Sequence, residues 1–377
     1  MADTADDLPH MRAALSLARR GLGSTWPNPS VGCVIVREGR VVGRGWTQPG
    51  GRPHAETEAL ARAGEAARGA TAYVTLEPCS HWGRTPPCCD ALIAAGIARV
   101  VVAAGDPDPR VDGRGLRRLR EAGVAVEQGL LEAEARAVIA GFVRRITRGL
   151  PLVTLKLATS LDGRIATATG ESRWITGGAA RRAAHGLRAN HDAVLVGSGT
   201  ALADDPDLTC RVPGMARVPL ARVVADTRLR TPLGSRLVAT ARAVPTWIAT
   251  RTGQPPAALA PFLAAGVEVL PVRAKEGGLD LHALLGALAQ RGVTRVLAEG
   301  GAGLAAGLLR AGLVDRVAWF HAPGVMGGDG MPAVRPLPLK SLSAMPRFRR
   351  VASRAVGGDW LTEFEREDGE PTCSQES

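Results

Sequence analysis

Two short stretches, PHAE at residues 53–56 and EPCSHWGRTPPCC at residues 77–89, decide how this chain is interpreted. The first stretch contains the imidazole of His54, and the second contains the thiols of Cys79 and Cys88. A predicted helix and a predicted strand lie between the two stretches. One histidine and two cysteines form a ligand set that suits zinc and leaves the fourth tetrahedral position open, as catalytic zinc sites do. The pattern therefore predicts a zinc site at which a water molecule can be activated.

Glu56 lies two residues after His54, at the start of the predicted helix. On a regular helix these two side chains point about 200° apart, so they converge only if the metal sits near the helix end. A carboxylate beside an open zinc position can take a proton from the bound water and deliver it to a leaving amine. Glu56 is therefore the predicted catalytic residue of this site.

The order of these residues is close to the zinc-deaminase signature, His-x-Glu followed by Pro-Cys-x-x-Cys. In the signature two residues separate the cysteines, whereas here eight residues separate Cys79 from Cys88. This longer spacing argues against the usual nucleoside and nucleic-acid deaminase loop. Cys89 is the rival third ligand, and Cys88 is favoured because it follows the rigid Pro86-Pro87 turn. Cys33 lies in an apolar strand and is predicted to be a core residue.

These motifs are similar to the deaminase half of the bifunctional riboflavin-biosynthesis deaminase/reductase family. The resemblance rests on PNPSVG at 27–32, HAE at 54–56 and GRTPPCC at 83–89. It implies a cytidine-deaminase-like fold for this half, with zinc on the histidine and the two cysteines named above and with Glu56 as the proton donor.

The second half contains a glycine-rich turn, EGGAGLAAG at residues 299–307, between a predicted strand and a predicted helix. Such a turn exposes backbone N–H groups to a diphosphate. It comes too late in the chain to open a standard Rossmann domain, and no acidic ribose ligand follows it. Two further strand ends, KLATSLDGR at 156–164 and VLVGSGT at 194–200, carry small and hydroxyl side chains where α/β sheets bind ligands.

Three large side chains in this half are candidates for ligand contacts: Trp174 to flank a flat ring, and Arg188 and Arg211 to clasp a phosphate. Together with the segments above they are similar to the reductase half of the same family, whose fold is like dihydrofolate reductase. The resemblance implies NADPH as the cofactor. The implied NADPH contacts are Ala158, Trp174, Thr200, Asp204, Thr227, Gly301, Ala302, Gly303, Leu304, Ala305, Ala306 and Gly307. The implied substrate contacts are Ser172, Arg188, Leu208, Arg211 and Glu299.

The family resemblance implies a bifunctional enzyme that acts on small phosphoribosyl-pyrimidines. Its first half would hydrolytically deaminate 2,5-diamino-6-(5-phosphoribosylamino)pyrimidin-4(3H)-one. Its second half would use NADPH to reduce 5-amino-6-(5-phosphoribosylamino)uracil to the ribitylamino product. The sequence by itself shows no dedicated proton donor for this reduction.

The formal net charge of +11 would attract polyanions. However, the basic residues are scattered, and aromatic residues make up only 3% of the chain, too few for a base-stacking surface. From the residues alone, two alternatives remain open. One is a nucleic-acid base deaminase with an appended nucleotide-binding domain, and the other is a non-catalytic zinc-binding module, which the presence of Glu56 disfavours.

Strands and helices alternate along the chain, and GLP at 149–151 ends a basic helix. We therefore expect two α/β domains, a zinc-dependent pyrimidine deaminase domain at 1–149 and an NADPH-dependent reductase domain at 150–367, followed by a disordered tail at 368–377. The absence of a long apolar run and of a signal-like N-terminus predicts a cytoplasmic protein without a membrane partner. The family resemblance also implies a homodimer formed through the reductase domain.

Overall fold

The computed structural model describes residues 4–83, 85–215, 218–275 and 277–367. The predicted tail at 368–377 lies outside the described residues. The chain divides into two compact units, one comprising Met1–Pro151 with Ala289–Thr294 and the other Leu152–Leu288 with Arg295–Ser377. Within the described ranges, no helix combines the length and hydropathy needed to cross a membrane.

The first unit is built on a five-stranded sheet. Its helices are α1 (Thr4–Arg20), α2 (Ala55–Ala63), α3 (Cys88–Ala94), α4 (Arg114–Glu121) and α5 (Glu132–Arg148). Its strands are β1 (Gly32–Arg37), β2 (Arg40–Trp46), β3 (Thr71–Leu76), β4 (Arg99–Ala104) and β5 (Ala125–Gln128). Short 3₁₀ turns span Pro49–Gly51 and Gly64–Ala67. The core lies where the apolar strands β1, β3 and β4 meet α1, α2 and α5.

The strand directions of the first sheet place its functional loops at one edge. The strand order is β2-β1-β3-β4-β5. Because β1 is antiparallel to both β2 and β3, and β3, β4 and β5 are parallel, four strands end at the same edge. The segments that leave this edge lead into α2, α3 and α4.

The second part of the chain contains a larger sheet with helical connections. Its helices are α6 (Gly178–Ala189), α7 (Ser198–Asp204), α8 (Arg236–Ala239), α9 (Pro256–Ala264), α10 (Leu281–Gln290) and α11 (Ala302–Arg310). Its strands are β6 (Leu152–Thr159), β7 (Arg164–Ala166), β8 (Ala193–Gly197), β9 (Ala221–Ala225), β10 (Thr246–Arg251), β11 (Glu268–Val272), β12 (Ala274–Lys275), β13 (Gly278–Leu279), β14 (Arg295–Glu299), β15 (Arg316–His321), β16 (Met331–Pro332), β17 (Phe348–Val356) and β18 (Asp359–Arg366). A 3₁₀ turn spans Leu342–Ala344.

Nine of these strands form one sheet in the order β11-β10-β9-β8-β14-β6-β15-β18-β17. The seven strands from β11 to β15 are parallel, and β18 and β17 continue the sheet in antiparallel pairing. The parallel strands β8, β14 and β6 are nearly all buried, as expected for strands covered on both faces. Their carboxyl ends lie side by side, so the residues that follow them can line a common site. Both units are α/β structures, as the sequence predicts.

Candidate active sites

The predicted zinc ligands come together at the strand-end edge of the first sheet. His54 immediately precedes α2, Cys79 lies in the loop after β3, and Cys88 is the first residue of α3. His54 Nδ1 lies 3.3 Å from Cys88 Sγ and 3.7 Å from Cys79 Sγ, and all three ligand atoms lie within 4.8 Å of one another. One nitrogen and two sulfurs at this separation fit a three-ligand zinc site.

The neighbouring thiols behave differently. Cys89 Sγ points to Asp90 Oδ1 at 3.7 Å, and burial raises the pKa of the Cys89 thiol to about 12. Burial also raises the pKa of Cys33, which is fully enclosed in β1. By contrast, the hydrogen bond with Cys88 lowers the pKa of Cys79 to about 4. Cys79 thus has the character of the thiolate that binds metals, whereas the hydrogen bond with Cys79 and burial raise the pKa of Cys88. Position distinguishes Cys88 from Cys89, because Cys88 Sγ lies beside His54 Nδ1 and Cys89 Sγ points to Asp90.

Glu56 lies in the first turn of α2 and is only 4% exposed. Its side chain lines the same cavity as His54 and Cys79. Burial raises the pKa of the Glu56 carboxyl to about 7. A carboxyl with a pKa near neutrality can both accept and donate a proton during a reaction, which is the property that an acid–base catalyst needs.

The cavity around Glu56 has a volume of about 480 Å³ and contains polar residues to which no sequence motif assigned a role. Asn28 lines it and donates a hydrogen bond from Nδ2 to the Gly51 carbonyl at 2.8 Å. Asp106 and Asp108 follow β4 at the same sheet edge, and burial raises the pKa of Asp106 to about 6. Arg110 donates from Nε to Asp108 Oδ1 at 2.9 Å. The cavity therefore offers amide, carboxylate and guanidinium groups beside the predicted metal ligands.

A second cavity, of about 390 Å³, lies in the second unit at the strand ends. Nine of the residues predicted to contact NADPH or substrate line it: Ala158, Ser172, Trp174, Arg188, Thr200, Asp204, Leu208, Arg211 and Glu299. The strands β6, β8 and β14 bring these residues together from distant parts of the sequence, because they are neighbours in the sheet.

The two arginines predicted to clasp a phosphate have different surroundings. Arg188 is mostly buried and makes a bidentate pair with Glu299, at 2.6 Å from Nε and 3.0 Å from Nη2. Arg211 is mostly exposed and pairs with Asp207 Oδ2 at 3.2 Å. Arg188 thus holds Glu299 in the cavity wall, whereas Arg211 is the more exposed arginine of the cavity lining.

The other predicted NADPH contacts lie outside the lining of this cavity. They are Thr227, Gly301, Ala302, Gly303, Leu304, Ala305, Ala306 and Gly307. Thr227 follows β9, and its carbonyl accepts a hydrogen bond from Thr250 Oγ1 at 3.3 Å. Gly301 precedes α11, and no side chain caps that helix start, so its backbone N–H groups suit an anion. Contact of these residues with a cofactor stays a prediction.

Lys156 lines the second cavity, although no sequence motif assigned it a role. It lies on β6, and burial lowers the pKa of its ammonium group, while the nearby Glu299 carboxylate acts in the opposite direction. A signal for it existed, because a lysine inside an apolar strand is rarely buried without a partner. The structure therefore adds a partly buried amine to the residues that were predicted to line this cavity.

Comparison with known proteins agrees with this arrangement. Residues 4–104 match the family described as the cytidine and deoxycytidylate deaminase zinc-binding region, and residues 151–362 match the RibD C-terminal domain. The riboflavin biosynthesis protein RibD of Escherichia coli K12 is 45% identical over 362 residues, covering 93% of this chain and 96% of that protein.

Two solved structures extend the likeness to the three-dimensional level. RibD of Acinetobacter baumannii is 37% identical with a TM-score of 0.88, covering 97% of this chain and 100% of that one. A diaminohydroxyphosphoribosylaminopyrimidine deaminase/5-amino-6-(5-phosphoribosylamino)uracil reductase of Thermotoga maritima is 33% identical with a TM-score of 0.83, covering 96% and 99%.

A zinc-binding deaminase domain followed by a reductase domain defines a bifunctional deaminase/reductase. The chain belongs to the RibD family, and it is a hydrolase and oxidoreductase of riboflavin biosynthesis. The family, the pair of folds and the two activities that the sequence motifs implied are thereby confirmed.

Proposed function

We propose that the first unit hydrolyses the 2-amino group of 2,5-diamino-6-(5-phosphoribosylamino)pyrimidin-4(3H)-one, with zinc on His54, Cys79 and Cys88. The observation that carries this proposal is the cluster of one imidazole and two thiols, of which His54 and Cys79 line the same cavity as the buried carboxylate of Glu56. The name of the Thermotoga maritima relative supports the choice of substrate.

Glu56 performs the proton transfers of this deamination. A zinc ion held by the three ligands would supply a water molecule that ionises near neutral pH. Glu56 accepts a proton from the attacking water, whose oxygen bonds to C2 of the pyrimidine. It then donates a proton to the 2-amino group, so that the C–N bond breaks and ammonia leaves. The raised pKa of Glu56, about 7, suits both steps.

The second unit reduces the ribosyl group of the deaminated product with NADPH. The cofactor would supply a hydride to C1′ of the sugar, and the C1′–O4′ bond would break. Lys156 is the group that we assign as proton donor to O4′, since its partly buried ammonium lies in the cavity near Glu299. The uncapped start of α11 would receive the diphosphate, and Arg211 would receive the substrate phosphate.

An assay of the two half-reactions tests this assignment. Removal of zinc with a chelator should stop deamination and leave the reduction of supplied uracil substrate unchanged. Omission of NADPH should stop reduction alone. Deamination that continues in metal-free protein would contradict the zinc site, and reduction that depends on zinc would contradict the division of labour between the two units.

We further propose that the enzyme works in the cytoplasm as a homodimer formed through the second unit. The edge strand β17 supports the dimer, because most of its side chains are exposed and its outer edge is available for pairing. Light scattering should give about twice the chain mass of 39.2 kDa. A mass of one chain at all assay concentrations would contradict the dimer.

A further inference from the structure

Glu77 lies two residues before the zinc ligand Cys79 and borders the same cavity, and its carboxylate binds the start of α4. It is buried, and its carboxylate accepts hydrogen bonds from the backbone N–H groups of Gly113 at 3.1 Å, Gly115 at 3.0 Å and Leu116 at 3.3 Å. These groups belong to the start of α4, whose own residue Gly113 has no side chain to cap them. Glu77 therefore caps α4 from a different part of the chain.

The packing at this cap leaves little room. A Cβ atom at Gly115 would lie 2.1 Å from the carbonyl oxygen of Pro78, a distance that real Cβ atoms do not adopt. The backbone of α4 thus touches the residue that immediately precedes Cys79. Any displacement of this helix would be transmitted directly to the Cys79 loop.

The same helix is attached to the second cysteine ligand. Arg118, in the middle of α4, pairs through Nε with Asp90 Oδ1 at 2.6 Å, and Asp90 lies two residues after Cys88 on α3. Residues of the loop that precedes α4, Asp106 and Asp108, line the deaminase cavity. One helix consequently contacts both cysteine loops and supports one wall of the substrate cavity.

We propose that α4 is a brace that holds Cys79 and Cys88 at the separation zinc requires, with Glu77 as its principal positioning residue. This inference rests on the zinc site proposed above. Groups that orient metal ligands from outside commonly change metal affinity by about 10- to 100-fold when they are altered. Glu77 acts through the Cys79 loop and α4.

The test is the Glu77→Gln variant of the full chain. Glutamine keeps the size of the side chain but replaces one acceptor oxygen with an NH₂ donor, which faces backbone N–H groups that also donate. Zinc affinity, measured by competition with a chromophoric chelator, should fall by about 10- to 100-fold. Deamination should be lost at limiting zinc and restored by excess zinc, whereas reduction should keep its wild-type rate.

A matched control separates positioning from general stability. Asp7 is also a buried carboxylate of the first unit with three hydrogen bonds, from Tyr73 Oη at 2.6 Å and from Arg99 at 2.9 and 2.6 Å. Asp7→Asn should lower the melting temperature but leave zinc affinity unchanged. Equal loss of zinc in both variants would overturn the brace, because affinity would then simply follow stability.

A milder variant covers the case in which Glu77→Gln does not fold. Arg118 is about half exposed, so Arg118→Ala should fold and weaken zinc binding by a few-fold. Wild-type zinc affinity in the folded variants would overturn the inference. A wild-type protein that binds no zinc would instead overturn the proposed metal site, so the two failures are distinguishable.

Discussion

Glu56 is a carboxyl enclosed by protein on the first turn of a helix, beside an imidazole and two thiols. Glu56→Gln keeps the size and hydrogen-bonding capacity of the side chain but removes its ability to exchange a proton. We expect deamination to fall by at least about 10²-fold, the usual contribution of a general acid–base group. Zinc content should be unchanged in metal analysis, and the rate of reduction should be that of the wild type. Deamination at the wild-type rate would contradict the role of Glu56.

The choice between adjacent cysteines gives a second prediction at this scale. Cys88 lies 3.3 Å from His54 Nδ1, whereas Cys89 points to Asp90. Cys88→Ser should therefore lose zinc and deamination, and Cys89→Ser should keep both. Metal analysis of the two purified variants, side by side, makes the comparison. The opposite pattern would move the third ligand by one residue.

Residue chemistry explains which parts of the sites could be found from the sequence. His54, Cys79 and Cys88 were recognisable because few other roles bring a histidine and two cysteines together in a protein of this kind. Asp106 and Lys156 were not, since aspartate after a strand and lysine in a strand have many ordinary roles. Their positions depend on which strands are neighbours in the sheets, and this pairing brings distant residues together.

At the scale of elements, the basic helix that ends before GLP at 149–151 was predicted, whereas α4 was not. The segment of α4, RGLRRLRE, carries four arginines, and its helix is stabilised from outside by Glu77. The strands β17 and β18 were also not predicted. Most side chains of β17 are exposed, so the alternation of apolar and polar residues that reveals a half-buried strand is weak there.

Close contact between β1 and α1 leads to a prediction about an element. A Cβ atom at Gly32 would lie 1.9 Å from the Ala14 carbonyl oxygen, so Gly32→Ala must push the helix away from the strand. We expect a loss of about 1–3 kcal/mol of stability, as for other overpacked cores. The measurement is the temperature at which the Gly32→Ala variant loses deamination, which should be lower than in the wild type. The temperature at which the same chain loses reduction serves as the internal reference and should not change.

A glycine in the neighbouring hairpin turn provides the control. Gly39 has a φ of 72°, and a Cβ atom added there would have no neighbouring atom within 4 Å among the described residues. Glycine is therefore favoured at this position by its backbone conformation and not by lack of space. Gly39→Asn should be tolerated, because asparagine adopts positive φ more readily than other residues. If both variants lost deamination at the same temperature as the wild type, the contact between β1 and α1 would not limit the stability of this unit.

At the scale of the whole molecule, the chain contains two units with separate cavities and separate chemistry. A local signal indicated where α5 ends: Gly149 has a φ of 64° and follows the last residue of that helix. No local sequence feature indicates that residues 289–294 group with the first unit. That grouping depends on packing between residues that are far apart in sequence.

Two complete sites on one chain predict that damaged chains can complement each other. Glu56→Gln should retain reduction, and Lys156→Met should retain deamination while losing about 10²-fold or more of the reduction rate. Neither variant alone should convert the diaminopyrimidine to the ribitylamino product. A mixture should do so, because the uracil intermediate released by one chain can be reduced by the other.

The measurement is chromatographic separation of substrate, intermediate and product over time, with NADPH and zinc present. In the mixture the intermediate should accumulate first and then decline, and the lag before product should shorten as the concentration of Glu56→Gln chains increases. This dependence follows because the second reaction then requires a diffusing intermediate to meet an intact reductase site. Absence of product from the mixture, with both half-reactions intact in their separate assays, would show that the intermediate does not leave the chain on which it forms.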